Sequence, residues 1–211
     1  MSKIMSKIDT IIFDLGGVLI DWNPEYLFLD VFNRDREKMK WFLNNICTSD
    51  WNEKHDAGYP LAKGTDELVK EFPEYESQIR MFYGKWEKML RGSIQGTVTI
   101  LDKLIKSKKY KIVALTNWSS ETFPIALKRF DFLQWFKGIV VSGDEKTRKP
   151  FQDIYNITLN RFDITAKNAI FIDDSIRNIE AANTLGIHGI HFKNPEQLIQ
   201  KLKKHKIQLH D

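Results

Sequence analysis

The sequence is poor in the features that mark secreted, fibrous or membrane-spanning chains. Its 211 residues include one cysteine, Cys47, and six prolines. A single thiol excludes an intramolecular disulfide framework and a cysteine-built zinc site, and it points to a reducing, cytoplasmic compartment. Few prolines, with 42% hydrophobic and 12% aromatic residues, exclude wholesale disorder. Long apolar runs are lacking too. The best candidate, residues 11–20, is broken by Asp14 and falls well short of the roughly 20 residues that span a bilayer. It follows MSKIMSKIDT with no small-residue cleavage signature, so no secretory leader is expected, and the repeated MSKI reads as two alternative start sites. No internal repeat, low-complexity tract or Pro/Gly/Ser linker interrupts the chain.

The formal net charge is +4 and the pI about 9.0. The charge is unevenly spread. Residues 17–95 hold 11 Lys/Arg against 14 Asp/Glu, a net of −3, and the remainder holds 21 against 14, a net of +7. The basic excess at 103–111 and 193–206 is interleaved with Leu and Ile, as on solvated helix and strand faces, and with Tyr110 alone it has too few aromatics for a nucleic-acid stacking platform. No nucleic-acid partner is expected. Trp22, Trp41, Trp51 and Trp86 lie in the acidic segment, whereas only Trp118 and Trp135 lie outside it.

Outside 17–95, short β-branched runs alternate with helical patterns, which predicts βαβ units and a parallel sheet. Strands are expected at 9–13, 111–115, 138–141, 169–172 and 188–192, with helices at 97–107, 120–129, 151–161, 176–185 and 195–205. Gly186 fits a helix C-terminal cap and Pro150 a helix first turn. The long stretch between the first two strands reads as helices at 24–32, 36–46, 64–72 and 74–90, with Trp51 in a loop.

Ligands of an open parallel sheet bind beyond the carboxyl ends of its strands. There the sequence places Asp14 after the first strand, Thr116 and Asn117 after the second, Lys149 after the third and Asp173–Asp174 after the fourth. Three carboxylates at close range repel one another and raise each other's pKa unless a cation intervenes. An all-oxygen cluster favours Mg²⁺, which usually also takes a substrate phosphate oxygen. Hydroxyl, amide and ammonium donors beside it suit an anion, and a carboxylate facing a metal-held phosphate can attack it.

FDLGGVL, ALTNWS, RKP followed by Tyr155, and FIDDS stand in this order, and together they resemble the four motifs of the haloacid dehalogenase superfamily. The resemblance spans the whole chain. It implies an α/β fold, a doubly wound Rossmann-like parallel sheet core (1–16 and 96–211) with a C1-type helical cap (17–95) inserted after the first strand. It further implies a Mg²⁺-dependent phosphomonoester phosphatase in which Asp14 is the nucleophile, Thr116 and Asn117 bind phosphate, and Lys149 stabilises the transferring group. Asp14, Asp174 and the Gly16 carbonyl would hold the metal, with Asp173 direct or through water. The substrate would be a small phosphate ester, and the assembly a monomer or homodimer.

One departure matters. Most phosphatases of that superfamily carry a second Asp two residues after the nucleophile as general acid and base, and here that position is Gly16. General acid–base assistance is worth roughly 10²–10⁴-fold. Asp21 or His55, a water, or a leaving group needing little help are the replacements. A sugar 1-phosphate leaves as a relatively acidic hemiacetal hydroxyl, and the DLG-type motif resembles the branch containing bacterial glucose-1-phosphate phosphatases.

His188 and His191 stand three apart in a strand and so point to opposite faces, which excludes a chelating pair. His205 and His210 belong to a polar tail. Trp22 and Trp51 are the tryptophans expected to face substrate. The competing functional classes are a 2-haloacid dehalogenase, disfavoured by Asp173–Asp174, and a catalytically weak sugar-phosphate binder.

Overall fold

A computed structural model describes residues 7–209; the first six residues, most of the MSKI repeat, and His210 lie outside the described residues. The described residues form seven strands: β1 (Thr10–Phe13), β2 (Ile20–Trp22), β3 (Leu90–Ser93), β4 (Lys111–Thr116), β5 (Ile139–Val141), β6 (Ala169–Asp173) and β7 (His188–His191). Five of them make a parallel sheet in the order β5-β4-β1-β6-β7. All five predicted strands are present within a residue of their expected ends. Ile11 and Phe13 enter an apolar cluster on one face, and Ile12 enters a separate cluster on the other. Covered on both faces, β1, β4, β5 and β6 are largely apolar runs, whereas the edge strand β7, HGIH, is only part-buried. Each fully buried Ile or Phe contributes about 1.5–3 kcal/mol.

Helices α1 (Glu25–Val31), α2 (Arg36–Asn45), α3 (Ser49–Asp56), α4 (Leu61–Glu71) and α5 (Glu76–Gly84) lie between β2 and β3. The core carries α6 (Gln95–Ser107), α7 (Phe123–Arg129), the single turn α8 (Ser142–Glu145), α9 (Gln152–Arg161), α10 (Ile176–Thr184) and α11 (Pro195–Lys204). Leu101, Leu104, Leu198 and Leu202 of α6 and α11 cover one sheet face, and Ile154, Tyr155, Ile179 and Ala182 of α9 and α10 the other. This is the doubly wound arrangement. Gly186 follows α10 at φ +82°, as expected of a C-terminal cap, whereas Pro150 lies in the connection before α9.

The segment after β1 leaves and returns through the antiparallel β2–β3 ribbon. Its helices share an aromatic core in which Phe28 packs against Phe42 at 5.0 Å and Phe82 at 5.9 Å between ring centroids. Two features differ from the sequence expectation. The predicted helix at 74–90 stops at Gly84, and the chain continues through a short 3₁₀ turn, Trp86–Met89, into β3. Residues expected as a loop around Trp51 form α3, capped by the Thr48 hydroxyl, which accepts from the Trp51 amide. No helix among the described residues is long and apolar enough to cross a membrane.

Candidate active site

β1 is flanked by β4 and β6, with Phe13 level with Ala114 on one side and Ile172 on the other. This register brings the residues just beyond them to one edge of the sheet: Asp14, Thr116 and Asp173. Lys149 arrives from the connection after β5. It is wholly buried, with Nζ 2.9 Å from Asp14 Oδ1, 2.7 Å from Asp173 Oδ2 and 3.2 Å from the Leu115 carbonyl. Three acceptors match the three donors of an ammonium. Burial alone would lower the Lys149 pKa, but the carboxylates of Asp14 and Asp173 outweigh it and hold the group above the usual lysine value.

Asp173 is fully buried, and its carboxylate also accepts from the Ser175 amide at 2.8 Å and from Asn178 Nδ2 at 3.1 Å. It anchors Lys149. Asp174 is the solvent-facing member of the acidic set. Gly17 makes the close approach to it possible: at φ +71°, a Cβ there would fall 2.1 Å from Asp174 Oδ2. Gly16 differs, because a Cβ on it would meet nothing within 4 Å.

Carboxylate oxygens of Asp14, Asp173 and Asp174 lie within 4.8 Å of one another. Burial first, then the neighbouring carboxylates, push the pKa of Asp14 well above the ordinary range and that of Asp174 up as well, against the opposing pull of Lys149. One ammonium does not balance three carboxylates. This hard-oxygen cluster with excess negative charge fits a divalent cation such as Mg²⁺.

Thr116 is buried and its hydroxyl has no partner among the described residues. Asn117 binds the Lys149 backbone at both ends of its side chain, donating from Nδ2 to the carbonyl at 3.0 Å and accepting at Oδ1 from the amide at 2.9 Å. Asn117 thereby fixes the loop that carries Lys149, and it also lines the cleft that contains Asp14 and Lys149. Arg148, the neighbouring cation, turns the other way and pairs with Glu53 of α3 at 2.6 Å. Tyr155 closes the rear by donating to the Asn178 carbonyl at 2.8 Å.

A cleft of about 500 Å³ lies between the sheet edge and the inserted helices, lined by Asp14, Lys149 and Asp174 from the core and by Glu53 and Asp56 from α3. It adjoins a small recess of about 70 Å³ walled by Trp22, Tyr83, Trp86 and Trp118. Trp22 lines both spaces, as expected. Trp51 lines neither; it packs edge-on against Phe82 and its indole donates to the Gly64 carbonyl. Neither candidate replacement acid lines these spaces. Asp21 accepts the Tyr26 hydroxyl on both oxygens. His55 is fully buried against Gly64, accounts for one ring nitrogen at the Trp51 carbonyl, and is held below the usual histidine pKa by burial. His188 and His191 bond separately to the carbonyls of Lys167 and Asp174.

Glu53 and Asp56 escaped the sequence reading because α3, SDWNEKHD, has almost no apolar periodicity. The available signal was local: Thr48 as N-cap, Asp50 in the first turn, and Lys54 and His55 in the last.

Comparison with known proteins agrees with this architecture. A family profile described as haloacid dehalogenase-like hydrolase matches residues 11–192. The chain is 23% identical over 185 residues to a phosphorylated carbohydrates phosphatase of Thermotoga maritima, covering 87% of this chain and 84% of the relative. It is 27% identical over 196 residues to a sesquiterpene phosphatase of Aspergillus oryzae, covering 92% and 94%. Among solved structures, a haloacid dehalogenase family enzyme of Bacteroides thetaiotaomicron in its magnesium complex aligns with TM-score 0.68 at 23% identity, covering 90% of this chain and 95% of the other. The fold, the profile match and the relatives together establish that the chain belongs to the haloacid dehalogenase-like hydrolases.

Proposed function

We propose that the chain is a Mg²⁺-dependent phosphomonoester phosphatase in which Asp14 is the nucleophile and residues 17–95 act as a cap over the substrate. The observation that carries this reading is the buried Lys149 ammonium shared by Asp14 and Asp173, with Asp174 completing an acidic cluster beside it. Asp14, Asp174 and the Gly16 carbonyl would hold the metal, with Asp173 in support. A magnesium ion there supplies charge neutralisation and orientation for a phosphate oxygen.

Lys149 offsets charge on the transferring phosphoryl group, Asp173 and Asn117 hold Lys149 in place, and the Thr116 hydroxyl donates to a phosphoryl oxygen. Asp14 attacks phosphorus and the ester oxygen departs. Water then attacks the aspartyl phosphate, releasing inorganic phosphate and restoring the carboxylate. The cap excludes bulk water from these steps.

The aromatic recess, with Asn52, Ser119 and Thr122 at its edges, offers both ring faces and polar groups to the leaving alcohol. That mixture favours a hydroxylated ring over a bare hydrocarbon, because burying unmet polar groups costs about 1–3 kcal/mol each. The substrate class we assign is a small sugar phosphate, and sugar 1-phosphates need the least help from an acid at Gly16. The lone, buried Cys47 suits the reducing cytoplasm.

A panel of phosphate esters assayed with Mg²⁺ and with EDTA tests the reading. Activity should require the metal, and Asp14→Asn should abolish it. Mg²⁺ should also raise the melting temperature of the wild type, by about 2.7 kcal/mol of stabilisation at a hundredfold excess over Kd. Full activity after chelation, with turnover of a 2-haloacid, would instead identify a dehalogenase.

A further inference from the structure

We infer that Asp56, delivered by the inserted helix α3, is the general acid that protonates the leaving oxygen in place of the carboxyl that Gly16 lacks. The inference rests on the phosphatase reading and deepens it.

Position carries the argument. Asp56 lines both the cleft that contains Asp14 and Lys149 and the aromatic recess, and Gly16 lines the same two spaces. With the phosphoryl group at Asp14 and the leaving group in the recess, the bond that breaks must cross their common boundary. Gly16 leaves open space there on the core side, and a carboxyl from the cap stands on the other.

The carboxyl is held in place. Asn52 Nδ2 donates to Asp56 Oδ2 at 3.2 Å, and the Ser119 amide also donates to it. The helix end is fastened to the core by Ser142, whose hydroxyl donates to the Asp56 carbonyl at 2.5 Å, and by Glu53, which pairs with Arg148 and Arg177. Four ionisable groups act on it: Glu53 from its own helix, Arg148 and Lys149 from the connection after β5, and Tyr83 from α5. Burial, assisted by Glu53 and opposed by the two cations and the Ser119 amide, pushes its pKa up to about 7, where a carboxyl can act as acid and then base.

The proton balance closes. As Asp14 bonds to phosphorus and the ester P–O bond breaks, the Asp56 proton passes to the departing oxygen and yields the alcohol. The Asp56 carboxylate then takes a proton from the water that attacks phosphorus, the Asp14–phosphorus bond breaks, and both residues return to their starting states.

The test compares kcat/KM for glucose 6-phosphate, a poor leaving group, with that for p-nitrophenyl phosphate, which needs no proton. Asp56→Asn should lower the first by about 10²–10³-fold and change the second by less than about threefold. Adding Gly16→Asp should recover at least tenfold on the sugar phosphate. In the wild type, the ratio of sugar to aryl kcat/KM should fall about tenfold per pH unit above the pKa of the acid. Equal losses on both substrates, or a ratio in the wild type that does not vary with pH, would overturn the assignment while leaving the phosphatase reading intact. A wild type inactive on both and on the wider panel of phosphate esters, sugar 1-phosphates included, would overturn the two together.

Discussion

Replacing Asp56 with Asn tests the electrostatics of α3 independently of turnover. In the unfolded chain this carboxyl has the ordinary value of 3.8, and in the folded chain about 7. The folded state therefore binds more protons than the unfolded state between these values, and stability falls as pH rises through that window. At about 1.36 kcal/mol per unit, the cost is about 1 kcal/mol at pH 4.5 and reaches a ceiling of about 4 kcal/mol at pH 8. An Asn never ionises and escapes it. Its amide keeps one acceptor oxygen for two donors, Asn52 Nδ2 and the Ser119 amide, which returns about 1 kcal/mol. The net at pH 8 is a gain of up to about 3 kcal/mol, or about 6–12 °C in Tm for a chain of this size. Near pH 4.5 the two effects cancel. Thermal unfolding of wild type and variant at both pH values reads this directly. A variant equally shifted at both, or less stable at pH 8, would refute the reasoning that Asp56 is forced to ionise in a desolvated place.

Two further substitutions probe the sheet edge. Lys149→Met strands Asp14 and Asp173 without their shared cation and should cost about 3–5 kcal/mol, a fall in Tm of about 6–20 °C, with phosphatase activity reduced at least about 100-fold. A melting temperature within a degree of wild type would show that the ammonium does not balance the pair. Gly17→Ala forces a side chain onto Asp174 at positive φ and should lower stability by about 1–3 kcal/mol, whereas Gly16→Ala, which meets nothing, should stay within about 0.5 kcal/mol of wild type in the same melts.

The core was legible because its physics is local in sequence. Strands covered on both faces must be continuous apolar runs, so Thr10–Phe13 and Ala169–Asp173 stand out, and the residues that follow them fall at the carboxyl edge. Lys149 rather than Arg148 was picked out by the motif resemblance and not by local pattern, since the inward choice depends on Asp173 at the end of β6 and on Glu53 of a distant helix. Asn117 shows the same limit: its residue type suits phosphate, but nothing local reports its hold on the backbone of Lys149, 32 positions away. Helix α3 was hidden for the opposite reason. It is held by its cap and by Glu53 pairing with core arginines rather than by an apolar stripe, so hydrophobic periodicity does not report it.

The same weakness of pattern explains where the acid went. A carboxyl two residues after Asp14 would be rigidly placed by the β1 turn, and Gly16 has room for it. Moving the acid to α3 makes its position depend on contacts between insert and core, chiefly Glu53 with Arg148 and Arg177. Asp14 and Lys149 are brought together by core residues, Asp173 and Asn117 among them, whereas proton delivery requires α3 to be seated. An ester with a poor leaving group is then cleaved only with the insert closed over it, while an activated ester escapes that requirement. The acidic, aromatic segment between β1 and β4 thereby shapes the recess and also decides, through one carboxyl, which leaving groups can depart.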